Sequence, residues 1–83
     1  MYSVVTDSEV VSQLKALPAD ALRSYDDAVL VLELAPWNGR SYNDEKPDCS
    51  MRELVFDNGF GTITYLILED QREVHVLVVQ WLG

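Results

Sequence analysis

The spacing of apolar residues changes twice along the chain, and each change predicts an element. Residues 1–5 hold Tyr2, Val4 and Val5, all of high β propensity, and read as a short strand. Thr6 followed by Glu9 makes a capping-box pattern. Val10, Leu14 and Leu17 then recur at spacings of four and three, one face of a helix, with Lys15 near its negative end. Pro18 stops that helix or opens the next at its first turn. Within residues 18–36, Leu22, Tyr25, Val29 and Leu32 form a second helical stripe, which Ala28 and Leu34 widen. Asp20 supports its start, and Pro36 sets its end by pushing the preceding residue out of the α region. Two amphipathic helices so close in sequence predict an αα-hairpin.

From residue 37 the period is lost. Residues 37–50 hold Gly, Pro, two Asn and charges of both signs, and are expected to form an ordered connection carrying Trp37 and Tyr42. Residues 51–56, 61–69 and 73–81 then read as three strands, linked by "DNG" and "DQR" turns into an antiparallel meander. Strict alternation in the last strand puts Val74, Val76 and Val78 toward the helices. It puts His75, Leu77, Val79 and Trp81 on the other face. That second face is too apolar for plain solvation, which suggests a protein partner or the long loop folded across it. The predicted fold is α+β in the order β-α-α-β-β-β. A small, mostly antiparallel sheet takes the first strand at one side and two helices on one face, as a single domain over 1–83.

Composition sharpens this picture. At 83 residues and 48% hydrophobic, one modest core is available, and a domain this short buries only about 60% of its unfolded surface. A partner covering its apolar faces would add stability. Six Lys and Arg against fourteen Asp and Glu leave a net charge of -8. Nucleic-acid binders normally show a basic footprint, and any local basic patch here would sit in a repelling field. Cys49 is the only cysteine, so no intramolecular disulfide forms, and no Cys/His cluster points to a metal or other cofactor. The first ten residues carry acids rather than a signal-peptide core, and the longest apolar run is short and contains Glu33. The expectation is a cytoplasmic protein with no membrane partner.

The order of elements, with "MRELVF", a turn, "TYLILE" and "EVHVLVVQW" in the C-terminal half, resembles the toxin family that includes RelE, ParE and HigB. Tyr65 matches the tyrosine that closes the family's R-x-x-Y strand, and Arg52 matches its basic residue on the first meander strand. The resemblance implies a small toxin of a type II pair, neutralised by a cognate antitoxin. The RelE and HigB branches cut messenger RNA in the ribosomal A site, whereas the ParE branch poisons gyrase. The pattern also departs from this chain. Thr62 stands where the family's strand carries Arg, and the last strand ends in Gln80 and Trp81 rather than a basic or His/Tyr site.

RNA cleavage through its own 2′-OH needs a base, an acid and positive charge on the phosphate. The resemblance assigns Arg52 to the phosphate and points to Tyr65, while His75, the one histidine, is the candidate acid or base, so that His75 and Tyr65 take proton-transfer or positioning roles. Arg40, Tyr42 and Lys46 in the loop are candidate RNA or partner contacts, diluted by nearby acids. Leu77, Val79 and Trp81 are candidate partner contacts on the outward face. Cys49 has no neighbouring base and takes no nucleophilic role. The expected function is therefore a toxin, an endoribonuclease acting on the ribosome. The alternative is a protein-binding module of the same fold, with gyrase-type action included and a homodimer left open. Both depend on Arg52, His75 and Trp81 sharing one outward face.

Overall fold

The first helix begins where Asp7, in extended conformation, turns its carboxylate back to accept the Val10 N–H at 2.9 Å. The cap is thus Asp7 rather than the expected Thr6, its carboxylate satisfying an amide that the first turn leaves without a helical partner. The computed structural model describes residues 1–42, 45 and 49–82. Its elements are β1 (Ser3–Val5), α1 (Ser8–Lys15), α2 (Ala19–Leu34), β2 (Arg40–Ser41), β3 (Met51–Phe56), β4 (Gly61–Leu68) and β5 (Glu73–Trp81). A 3-10 turn at Pro36–Asn38 follows α2. It lies inside the stretch expected to be irregular, as does β2.

The five strands form one sheet in the order β1-β5-β4-β3-β2. β1 runs parallel to β5, and the remaining pairs are antiparallel. The predicted order, the meander and the placement of the first strand at one side all hold. Both helices pack on one face. Val10 from α1 and Tyr25, Ala28 and Leu32 from α2 join Ile63, Tyr65, Ile67, Val74 and Val76 of the sheet in one core. Tyr25 sets its ring edge-on to Phe56, at 5.9 Å and 76°. Each wholly buried aliphatic side chain here contributes about 1.5–3 kcal/mol.

Two details of packing differ from the pattern in the sequence. The stripe of α2 is turned by one residue. Ala21, Tyr25, Ala28 and Leu32 are its buried positions, whereas Leu22 and Leu34 are 37% and 69% exposed. Small alanines at 21 and 28 bring the helix close to the sheet, and the larger leucines take the rim.

The second difference is a β-bulge in β5. Tyr65 pairs with Val76 and Thr64 with Val78, so Leu77 has no opposite number. An extra residue reverses the alternation beyond it. Val79, 5% exposed, and Trp81 therefore join Val74 and Val76 on the helix side, while Val78 and Gln80 join His75 on the open face. The outward placement expected of Val79 and Trp81 is corrected by this one residue. The bulge also suits α1, whose Gln13 Oε1 accepts the Val79 N–H at 2.9 Å and covers the edge of β5 that short β1 does not reach.

Candidate functional site

Cross-strand partners project to the same face, so the register assigns every candidate to a side. Arg52 stands opposite Tyr65, which stands opposite the buried Val76. Arg52 and Tyr65 are adjacent, on the helix side. His75 stands opposite Leu66 and belongs to the open face. Arg52, His75 and Trp81 therefore do not share a face.

Arg52 is 9% exposed. Its Nε donates to the Cys49 carbonyl at 3.1 Å. Its Nη1 donates to the carbonyls of Gly39 at 2.8 Å and Trp37 at 3.3 Å. The guanidinium carbon lies 4.8 Å from the centre of the Trp37 ring. A planar cation with five donors suits this job, because one side chain ties three backbone oxygens and stacks on an indole. Burying the charge is offset by those carbonyl dipoles and the ring. Beside it, the Tyr65 hydroxyl donates to the Pro36 carbonyl at 2.6 Å. Burial pushes the Tyr65 phenol above its usual range, partly opposed by the charge of Arg52. The outward placement expected of Arg52 is corrected by this geometry, which sets it in the same buried row as Tyr65. The Arg52 Nε and Nη1 and the Tyr65 hydroxyl bond backbone carbonyls of Pro36, Trp37, Gly39 and Cys49.

A second polar cluster continues from Trp37. Glu69, at the turn between β4 and β5, accepts the Tyr2 hydroxyl at 2.6 Å and the Trp37 indole N–H at 2.8 Å on one oxygen. It pairs with Arg72 at 2.9 Å on the other. The Arg72 guanidinium also stacks over Tyr2 at 4.2 Å and donates to its hydroxyl. The donated hydrogen bonds from Tyr2 and then Trp37 hold the Glu69 carboxyl below its usual range. A carboxyl with a depressed folded value stabilises the fold above its unfolded value and loses that contribution as pH falls through the folded one. Glu69→Gln is thus expected to lower the thermal midpoint at pH 7. The gap from the wild-type chain should close as pH drops below the ordinary value of 4.5, checked by thermal melts across pH. In the sequence the only sign of this hub is an acid between two strands beside an arginine-bearing turn.

The open face carries what is left. Rows across it read Val5, His75, Leu66 and Met51, then Val78, Thr64, Glu53 and Arg40, then Gln80, Thr62 and Val55. His75 Nε2 lies 2.9 Å from Glu73 Oε1, and Arg40 pairs with Glu53 at 2.9 Å. Leu77, at the bulge, is 39% exposed. Tyr42 is exposed beyond β2, and Trp81 spends its indole N–H on Asp57 at 2.7 Å. Lys46 lies outside the described residues. Among the described residues, no His, Cys, Asp and Glu cluster is arranged to hold a metal, and no helix is long and apolar enough to cross a membrane.

No protein-family model and no curated protein sequence matches this chain. Solved structures do match it. The isolated RelE toxin of E. coli superposes with a TM-score of 0.80 at 9% identity, covering 100% of this chain and 86% of that one. The intact E. coli RelBE toxin–antitoxin complex gives 0.80 at 9% identity, with 100% and 99% covered. The archaeal RelE–RelB complex from Pyrococcus horikoshii OT3 gives 0.69 at 18% identity, with 99% and 96% covered. The likeness extends over the whole chain and is one of architecture: two helices on a five-stranded mixed sheet, the fold of the RelE toxins.

Proposed function

We propose that this chain is the toxin-like member of a toxin–antitoxin pair and acts through protein contacts rather than by cutting RNA. The first half of that reading is supported by the fold, since the E. coli and P. horikoshii RelE proteins that share it were solved with RelB antitoxins. The second half rests on one observation. The arginine at the strand position where the resemblance expects a phosphate contact is turned to the helix side and held by three carbonyls. The other arginines near the sheet, Arg72 and Arg40, are paired with Glu69 and Glu53. Transition-state charge on a phosphate needs cations aimed at it, and the net charge of -8 works against the approach of RNA. His75 has a carboxylate neighbour in Glu73 but shares its open-face row with Val5, Leu66 and Met51.

The test is expression in a bacterial host, with messenger RNA ends mapped during the arrest. Growth arrest without A-site cleavage is expected, and His75→Ala should leave the arrest unchanged. The product of a neighbouring small reading frame, co-expressed, should relieve the arrest and co-purify. Codon-specific cleavage that His75→Ala abolishes would overturn the protein-contact reading. A gyrase-type target belongs to the same mode of action and would show as DNA damage during the arrest.

A further inference from the structure

Among the described residues, the outer edge of β3 is half covered. β2 is only two residues long and pairs with Arg52 and Glu53. The Tyr42 N–H donates to the Met51 carbonyl on the β2 side, and the Ile67 N–H donates to the Ser50 carbonyl on the β4 side. Backbone groups alternate sides along a strand, so Val55, in step with Met51 and Glu53, aims its N–H and C=O away from β4. A longer β2 would meet it with Asn38, but that residue is wound into the 3-10 turn. Gly39 ends β2 there, with Glu53 O so close that a Cβ would sit 2.8 Å from it.

Two clefts meet at this bare edge. One, of about 330 Å³, lies on the helix side between α2 and β3, and is lined by Ser24, Asp27, Val31, Phe56 and Asp57 among others. The second, of about 270 Å³, opens on the other side along Gly39, Arg40, Glu53 and Thr62. Leu54 and Val55 line both. The Val55 side chain is 59% exposed. An added strand sends alternate side chains to opposite faces of a sheet, so its period matches clefts on both sides of one edge. The helix-side cleft contributes two carboxylates, Asp27 and Asp57, and no cation among the described residues that line it.

We propose that the Val55 edge of β3 receives an extended, basic segment of a protein partner, which adds a strand there and sets a Lys or Arg against Asp27 and Asp57. This rests on the reading of the chain as one half of a protein pair and names where and how the partner docks. A negatively charged protein with a bare strand edge favours a positive strand over a second copy of itself, whose own net charge of -8 would repel.

The probe is a phage-displayed library of random twelve-residue peptides selected against the intact chain, with the best peptide then made synthetically. Selected peptides should alternate apolar residues with Lys or Arg, and binding should protect the Val55 amide from hydrogen exchange. Affinity should fall about tenfold or more in both Val55→Pro and Asp27→Lys. Val55→Pro removes an N–H that β4 does not use, and Asp27→Lys leaves the backbone edge intact, so folding of the variants is checked independently by their melting curves. No enriched sequence, or peptides whose affinity both variants leave unchanged, overturns the proposal. So does concentration-dependent dimerisation that Val55→Pro abolishes, since a second copy then takes the edge. If the chain arrests growth and its antitoxin still neutralises Val55→Pro and Asp27→Lys, the docking site is wrong and the toxin reading stands. If basic peptides bind here but the chain never arrests growth, the site stands and the toxin reading falls.

Discussion

Arg52→Ala is expected to cost about 3 kcal/mol of folding stability, because the carbonyls of Trp37, Gly39 and Cys49 lose their donor in a largely buried place. Native domains hold only about 5–15 kcal/mol in all, and one of this size sits toward the low end. Urea unfolding followed by circular dichroism measures it: the midpoint should fall sharply while the slope stays constant. Arg52→Lys should recover little, since one ammonium cannot span three carbonyls and also stack on Trp37. An arginine serving a phosphate on an open surface would behave in the opposite way, with stability unchanged within about 0.5 kcal/mol and binding lost. Loss of toxicity in Arg52→Ala is therefore evidence about folding until its stability has been measured.

Gly39→Ala is expected to cost about 2–3 kcal/mol, for steric reasons alone. The backbone at Gly39, with φ -68 and ψ 161, is open to any residue. The added methyl would instead run into the Tyr65 hydroxyl and press on the Glu53 carbonyl. Tyr65 has nowhere to go, because its ring is fully buried and its hydroxyl is bonded to Pro36. Taking that hydroxyl away should relieve part of the clash. Tyr65→Phe in the Gly39→Ala background should thus cost less than Tyr65→Phe alone, a favourable coupling read from a double-mutant cycle in urea. Strictly additive costs would mean that the glycine is needed for something other than this close approach.

Much of the architecture was legible because hydrophobic period is a strong signal and the turns are well marked. Val10, Leu14 and Leu17 announced α1, Pro36 closed α2, and the "DNG" and "DQR" segments separated strands that do pair as a meander. The candidate site was less legible, and the reason is local. Strict alternation through β5 fails at Leu77, where one unpaired residue sends Val79 and Trp81 to the helix side and leaves His75 behind on the open face. Nothing in "EVHVLVVQW", a run of β-branched and aliphatic residues, marks which residue bulges. Arg52 was misread for a different reason. An arginine in a strand reads as exposed unless its acceptors are visible, and here they are backbone carbonyls from 13 and 15 residues away and from the chain just before β3. The partners of Trp37, Arg52 and Glu69, are far apart in sequence, near the start of β3 and just past the end of β4, and only the antiparallel pairing brings them to one end of the sheet.

The guanidinium of Arg52 is an interior brace, held by three backbone carbonyls. Hydrogen exchange of the arginine side-chain Nε–H groups, followed by NMR on the intact chain, reads that directly. The Arg52 Nε–H, bonded to the Cys49 carbonyl, should exchange slowly and lose its protection only when the whole domain unfolds. An Arg52 Nε–H that exchanges as fast as that of Arg23 on the exposed side of α2 would contradict the brace and return Arg52 to the surface.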